Sequence, residues 1–291
     1  MTDADARLER RAARRRFERA AGSYADAARL EAEVGARMLE RLDYVRVAPQ
    51  RILDAGAGTA REARGLAERY RGASLVALDF SLAMLRRARR AGGFLSRLRA
   101  GRRPLPLCAD LERLPLASGS VGLVWSNMAL HWLDEPLGAL REFQRVLASD
   151  GLVMLSTLGP DTLKELRAAA GERRVHRFMD MHDLGDRLVA AGFSAPVIDM
   201  EVITVTYPDA QAFLAELRAT GQTGARADRP RGLAGRHFLA RLHQSLRAQM
   251  RGDRLPATFE VVYGHAWKGA PRAAAGDPAV VRLELSRHKK S

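Results

Sequence analysis

The segment 51–60 constrains the fold more than any other part of the chain. An apolar run ends in Asp54, and two glycines spaced one residue apart, Gly56 and Gly58, precede a helical pattern. This order predicts a strand, a tight glycine turn and a helix, so that the backbone can approach a ligand closely at the carboxyl edge of a parallel sheet. A lone G-x-G also occurs in ordinary loops between a strand and a helix. The neighbouring segments must therefore decide whether a ligand binds here.

Apolar runs and helical patterns alternate on both sides of the glycine turn. Strands are predicted at 51–54, 74–79, 105–108, 121–126 and 151–156, with helices at 61–69, 81–91 and 136–147. Strands separated by helices of this length indicate parallel pairing with right-handed crossovers. Two later strands fit 195–207 and 258–267. The predicted fold class is therefore α/β, a doubly wound, mostly parallel, seven-stranded Rossmann-like sheet.

Three regions are predicted along the chain. Residues 1–45 form an N-terminal helical cap, in which an apolar residue recurs every four positions from Leu30 to Leu42. Residues 46–269 form the main domain, with a helical lid insertion at 208–256 that begins after a helix near 181–191 and the strand 195–207. The stretch 221–235 is rich in Gly, Arg and Pro, so it is expected to be a mobile link. Residues 270–291 are expected to form a loose basic tail.

The amino-acid composition indicates which kind of partner the protein binds and in which cellular compartment it is expected. The chain has 48 Lys and Arg against 34 Asp and Glu, a formal charge of +14, which favours an acidic or polyanionic partner. Nucleic acid is not favoured, because the basic residues are spread along the chain and form no recognisable nucleic-acid module. No apolar run reaches the roughly 18 residues of a membrane helix, and there is no apolar signal-peptide core. With Cys108 as its single cysteine, the protein is expected in the cytoplasm.

Charged residues around the glycine turn narrow the ligand. Asp79 ends the second strand, 21 residues after Gly58, where a carboxylate can accept both hydroxyls of a ribose. The third glycine of a dinucleotide motif would fall at Arg61, and Glu62 would place a negative charge at the helix start, which disfavours a pyrophosphate. A cationic or zwitterionic nucleotide-like ligand fits this turn better.

Two more segments follow the third and fourth strands. Asp110 comes after the third strand and can accept from an adenine amino group, while 125–132 lies at the edge where a doubly wound sheet places its reaction. Four sheet-edge segments in this order resemble the class I S-adenosylmethionine-dependent methyltransferases. The resemblance implies S-adenosyl-L-methionine as cofactor, with Tyr24 in its cover. The residues that would bind it are Asp54, Gly56, Gly58, Asp79, Asp110, Leu111 and Ser126.

Longer stretches resemble one family within that class. Segments 17–24, 126–132, 156–166 and 177–183 are similar to the malonyl-acyl-carrier-protein O-methyltransferases of biotin synthesis, and the likeness spans 17 to about 268. It implies methylation of the free carboxylate of a malonyl thioester on acyl carrier protein, an acidic partner that suits the basic charge. The family commonly has Cys and Gly at the positions of Ala57 and Ala60, which leaves this turn less free.

A second resemblance leaves alternative functions open. Segments 183–188, 191–193 and 256–258 are also similar to a mitochondrial protein that hydroxylates an arginine in a respiratory-complex subunit. An arginine hydroxylase, an assembly factor that binds the same cofactor, or another class I methyltransferase therefore remain alternatives.

Two residues are candidates for contacting the substrate. A carboxylate nucleophile is already ionised, so catalysis requires alignment and removal of water rather than a general base. Arg177 could hold the malonyl carboxylate through a bidentate guanidinium, or could be a surface ion-pair partner. His131 could orient the substrate or pack beside Trp132. No metal site is predicted. The basic lid residues expected to meet the carrier include Arg218, Arg236 and Arg241.

Overall fold

The computed structural model describes residues 7–91, 103–230, 232 and 235–269. Helices and strands alternate through the central region, and the N-terminal part is helical. In chain order the elements are α1 (Arg10–Ala20), α2 (Tyr24–Ala27), α3 (Arg29–Arg41), β1 (Arg51–Ala55), α4 (Ala63–Arg69), β2 (Ser74–Asp79), α5 (Leu82–Ala91), β3 (Leu105–Cys108), β4 (Val121–Ser126), α6 (Leu137–Val146), β5 (Leu147–Leu158), α7 (Lys164–Ala170), α8 (Met181–Ala190), β6 (Ser194–Tyr207), α9 (Ala210–Ala219), α10 (Arg236–Arg247) and β7 (Leu255–Trp267).

One seven-stranded sheet organises these elements. Its strand order is β3-β2-β1-β4-β5-β7-β6. Strands β1 to β5 pair in parallel, whereas β7 runs antiparallel to both β5 and β6. The predicted α/β fold class is confirmed. Because the strand order reverses between β1 and β4, the carboxyl ends of these two strands form the crevice where such sheets bind ligands.

Apolar residues are buried on both faces of the sheet. On one face, Val34 and Met38 of α3 and Leu42 just after it are fully buried against the sheet, which confirms the apolar stripe predicted for the N-terminal region. On the other face, Phe143 of α6 and Leu188 of α8 are equally buried. Each such side chain contributes about 1.5–3 kcal/mol through removal from water. No helix in the described ranges is long and apolar enough to cross a membrane.

Several element boundaries differ from those expected. Helix α4 begins at Ala63 rather than 61, because the turn continues through Ala60, whose φ is 54°. Helix α7 begins at Lys164, directly after Leu163, which also has a left-handed φ, of 56°. These positive φ values fall on residues that carry a Cβ, so no glycine in the sequence marks them.

The stretch after α9 is packed rather than loose as far as residue 230. Arg226 is 2% exposed and forms a double hydrogen bond with Asp228, at 2.8 Å for both nitrogen–oxygen pairs. The Glu9 N–H donates to the Ala225 carbonyl oxygen at 2.8 Å, so the N-terminal region holds this stretch in place. The expectation of a mobile link is therefore wrong for 221–230. The predicted tail 270–291 lies outside the described residues.

The left-handed Ala60 leads to a stability prediction. A Cβ in this backbone region costs about 1–2 kcal/mol, so Ala60→Gly is expected to raise the free energy of unfolding by about 1 kcal/mol, measured by urea denaturation. The matched control is Ala168→Gly in the exposed face of α7, which should lower it by about 0.5–1 kcal/mol. A less stable Ala60→Gly protein would contradict the strain.

Candidate active site

The glycine turn after β1 is tied to β2 and covered by the N-terminal region. Gly56 has a φ of 84°, and a Cβ there would lie 2.4 Å from the Ala129 Cβ. Its N–H donates to the Leu78 carbonyl oxygen at 2.8 Å. Gly58 has a φ of 52° and lies under the Tyr24 ring, since a Cβ there would be 3.5 Å from that ring. Gly56 therefore has no room for a side chain, Gly58 has a backbone conformation that favours glycine, and Tyr24 lies where a cover over the turn was predicted.

Asp79 holds the turn in its conformation. One carboxylate oxygen accepts from the Gly58 N–H at 2.9 Å, and the other accepts from the Ser81 N–H at 2.7 Å. Burial raises the pKa of Asp79 to about 6, although both hydrogen bonds oppose that shift. Each carboxylate oxygen has a second lone pair, so the predicted contact with ribose hydroxyls is chemically compatible with this arrangement and stays a prediction.

Three other predicted cofactor residues have structural partners of their own. The fully buried Ser126 hydroxyl donates to the Ala55 carbonyl oxygen at 2.9 Å, which joins β4 to β1. Asp110 is exposed and forms an ion pair with Arg10 of α1 at 3.2 Å. Leu111 packs against the core on the α6 face. Contacts of these residues with a cofactor stay predictions, and for Asp110 the Arg10 guanidinium competes with adenine.

Buried carboxylates surround the turn. Asp54 is 1% exposed, and its Oδ2 has no hydrogen-bond partner among the described residues. Glu62 precedes α4, where the Asn127 amide donates to it at 3.2 Å. Glu31 of α3 is buried and accepts from the Gln222 amide. Burial raises the pKa of all three carboxyls, that of Glu31 to about 7.

Glu31 was not among the residues predicted for the site. The available signal was its spacing, because Glu31 lies three and seven residues before Val34 and Met38, on the apolar face of α3. A charged residue on a buried face needs a partner. Here that partner is Gln222, which is 191 residues away in the sequence.

The buried carboxyl groups around the glycine turn determine which charge a ligand there should carry. A buried carboxylate without a partner is costly, and a cation compensates it. The predicted cofactor carries a positively charged sulfonium group and an ammonium group. Its charge therefore complements the unpartnered Asp54 Oδ2 and the neighbouring acidic residues. A pyrophosphate would meet the same carboxylates and be repelled.

A cavity of about 210 Å³ lies between α7, α9, α10 and the segment after β4. The polar or charged residues in its wall include His131, Arg174, His176, Arg218, Gln222 and Thr223. The remaining wall is mostly aliphatic, including Leu158, Leu163, Leu166, Leu214, Leu217 and Leu242.

The two histidines at the cavity are neutral at physiological pH. Burial lowers the pKa of His131 to about 3 and that of His176 to about 4; for His176, the nearby Arg16 and Arg226 are the lesser cause. The Ala225 N–H donates to His176 Nε2 at 2.9 Å, so the proton of that ring lies on Nδ1. His131 packs on Trp132 and Phe178, and its Nδ1 has no hydrogen-bond partner within the described ranges. The protein therefore leaves one buried polar atom at this cavity without a partner.

The arginine at the cavity is a different one from that predicted. Arg177 is exposed and does not line the cavity among the described residues. Arg174 does line it, and its guanidinium carbon lies 3.9 Å from the centroid of the Phe238 ring. No ion pair involves Arg174 or Arg218 in the part of the chain that the structure describes. The placement favours Arg174 over Arg177 as the cationic group that faces a substrate.

Comparisons with known proteins agree with this geometry. A family described as a methyltransferase domain matches residues 53–155. A malonyl-acyl-carrier-protein O-methyltransferase of Methylovorus sp. is 49% identical, with 93% of each chain covered. The protein of the same name from Gallionella capsiferriformans is 47% identical, over 96% of this chain and 97% of that one.

Solved structures with lower identity show the fold alone. The YcgJ protein of Bacillus subtilis matches 82% of this chain with a TM-score of 0.58 at 15% identity. The cyclase SpnF matches 81% of this chain with a TM-score of 0.52 at 20% identity. Since one of these two is named a cyclase, the fold by itself does not give the reaction.

The glycine turn leads to a binding prediction. In Gly56→Ala the added Cβ meets Ala129, so we expect a loss of about 2 kcal/mol or more in unfolding free energy and loss of measurable cofactor binding. The control is Gly72→Ala, where φ is also positive, at 93°, but nothing lies within 4 Å. It shares the backbone strain and should bind the cofactor normally. Equal binding by both variants would contradict a tight approach at Gly56.

Proposed function

This chain belongs to the malonyl-acyl-carrier-protein O-methyltransferase family, and we propose that it methylates the free carboxylate of a malonyl thioester carried by acyl carrier protein. The protein is an S-adenosylmethionine-dependent methyltransferase. The observation that carries the proposal is the similarity to relatives of that name over nearly the whole chain. The arginine-hydroxylase and assembly-factor alternatives are not favoured, because these relatives bear the methyltransferase name.

The cofactor side and the acceptor side have opposite electrostatics that suit this reaction. S-adenosylmethionine supplies an electrophilic methyl group, whose bond to sulfur breaks as the bond to the carboxylate oxygen forms, and the sulfur keeps the electron pair. Asp54, Glu62 and Asp79 lie on the cofactor side, where the ligand is cationic. His131 and His176 lie on the acceptor side and are neutral, so they do not quench the nucleophile.

The cavity reduces the hydration of a bound acceptor. Much of its wall is aliphatic, so a carboxylate there keeps fewer water contacts than in bulk solvent, although the cavity is partly open. The buried Nδ1 of His131 has no hydrogen-bond partner within the described residues, and a small side-chain shift would be needed before it met a substrate. Arg174, with its guanidinium plane set by Phe238, is the candidate that holds the acceptor carboxylate.

The lid supports docking of an acidic carrier. The sequence of α10 contains no acidic residue, and Arg236, Arg241 and Arg247 are exposed on it. Phe238 and Leu242 of the same helix line the cavity, so a carrier docked on α10 would deliver its acyl arm nearby. A carrier-protein substrate in biotin synthesis also supports a cytoplasmic location.

The test of this function is the mass of the product. Incubation of the protein with S-adenosylmethionine and malonyl carrier protein should add about 14 Da to the acyl arm, whereas a hydroxylation would add about 16 Da. Acetyl carrier protein is the matched control, because it lacks the free carboxylate and should gain nothing. Absence of the methyl ester from an active, cofactor-bound preparation would overturn the proposal.

A kinetic comparison separates the two arginines. A hydrogen bond to a charged group contributes about 1.5–3 kcal/mol, so Arg174→Gln is expected to lower kcat/KM for malonyl carrier protein roughly 10- to 150-fold. Arg177→Gln should change it by less than about threefold, as for an exposed charge. The reverse order of the two effects would return the role to Arg177.

A further inference from the structure

An acidic cluster of four carboxylates lies at the carboxyl ends of β1 and β2. It consists of Glu31, Asp54, Glu62 and Asp79, of which three are buried and Glu62 is partly buried. No member forms an ion pair within the described part of the chain. Asp54 Oδ2, in addition, lacks any hydrogen-bond partner there. The cluster therefore places four carboxyl groups, without a cationic partner among the described residues, in a solvent-poor place.

The fold holds this cluster together by specific contacts. The Asn127 amide donates both to the Glu31 carbonyl oxygen, at 2.9 Å, and to the Glu62 carboxylate, at 3.2 Å. A Cβ at Gly35 would come 2.5 Å from that Glu62 carboxylate oxygen, so a glycine in α3 lets Glu62 lie against this helix. The Ser156 hydroxyl donates to Asn127 Oδ1 at 2.8 Å and fixes its orientation. These contacts fix the positions of Glu31 and Glu62 in the cluster.

The charged groups that face the cluster are mostly acidic. Glu31 faces Glu62 and Glu216, and Asp54 faces Glu62 and Asp79. Tyr24 lies near Glu31, Glu62 and Asp79. Two arginines act from outside: Arg61 near Glu62 and Tyr24, and Arg14 near Asp79. Glu216 is itself paired with Arg29, so it adds little to the negative charge at Glu31.

We propose that Glu31, Glu62 and Asp54 form a subsite that distinguishes ligands by their charge. Its carboxyl groups release protons when the positively charged methyl donor binds. The inference rests on the proposed function only for the identity of the ligand. S-adenosylmethionine has a sulfonium and an ammonium group, whereas its product S-adenosylhomocysteine has lost the sulfonium charge. The subsite therefore favours the cofactor that carries a methyl group over the spent one, which promotes exchange after each turnover.

The free protein holds protons at this site near neutral pH. Burial raises the pKa of Glu31 to about 7 and that of Asp79 to about 6. A cation that binds the ionised cluster must expel these protons, so its affinity rises with pH up to the raised pKa. Between about pH 5.5 and 7, below the pKa of about 8 of an α-amino group, the affinity for the sulfonium cofactor should rise about tenfold.

The free energy of unfolding is a poor measure of this proton release. Carboxyls with a raised pKa make the folded protein less stable as the pH rises through that pKa. His131 and His176 have lowered pKa values, so they make it more stable as the pH rises through about 6.5, the unfolded value. The two effects oppose each other in the same pH range. The measurement must therefore be of ligand binding.

The experiment is calorimetric binding of S-adenosylmethionine and of S-adenosylhomocysteine to the full chain between about pH 5.5 and 7, in two buffers of different ionisation enthalpy. The wild-type protein should release a proton on binding the sulfonium form and fewer on binding the product. Glu31→Gln keeps the shape and the contact with Gln222, and it should lose most of that proton release. In Glu31→Gln and Glu62→Gln the preference for the sulfonium form should fall about tenfold, the equivalent of one pKa unit.

The matched control is Glu68→Gln, which removes a carboxylate from the exposed face of α4 outside the cluster and should change neither quantity. Binding without proton release, together with an unchanged preference in Glu62→Gln, would overturn the subsite while leaving the proposed function intact. Absence of binding by the folded wild-type protein would overturn both. If Glu31→Gln fails to fold, wild-type proton release and Glu62→Gln decide the question.

Discussion

The burial of carboxylates beside the glycine turn is the constraint on which the rest of the site depends. Moving an isolated carboxylate out of water costs several kcal/mol, and this protein offsets the cost with hydrogen bonds, raised pKa values and, in our proposal, a cationic ligand. Each surrounding region contributes one residue to the hydrogen bonds around these carboxylates: α3 supplies Glu31, the turn supplies Glu62, and the lid supplies Gln222. The cap, the turn and the lid are therefore linked through one charged centre.

The neighbouring cavity solves a different electrostatic problem. A carboxylate nucleophile loses reactivity in water, so it must be held in place with few competing polar contacts. Two imidazoles kept neutral by burial provide polar groups without charge. In our proposal the single charged contact to the acceptor is Arg174, which is less buried than the histidines. The site thus has acidic groups on the donor side, and neutral imidazoles with one arginine on the acceptor side.

The sequence predicted what is local and missed what depends on distant contacts. The sheet, the glycine turn and Asp79 were readable because strand, turn and helix patterns are short-range. Glu31 and Arg174 were not, since the first meets Gln222 and the second meets Phe238 only after the lid has folded over the sheet. Asp110 illustrates the same point, because its ion pair with Arg10 spans 100 residues.

The central claim is that this protein makes the methyl ester of malonyl carrier protein for biotin synthesis. The most direct measurement in a cell is growth without biotin of a bacterial strain that lacks its own malonyl-carrier-protein methyltransferase and expresses this chain. The account predicts growth with the wild-type chain and none with Gly56→Ala produced at the same level. Failure of the wild-type chain to restore growth, with soluble folded protein present, would contradict it.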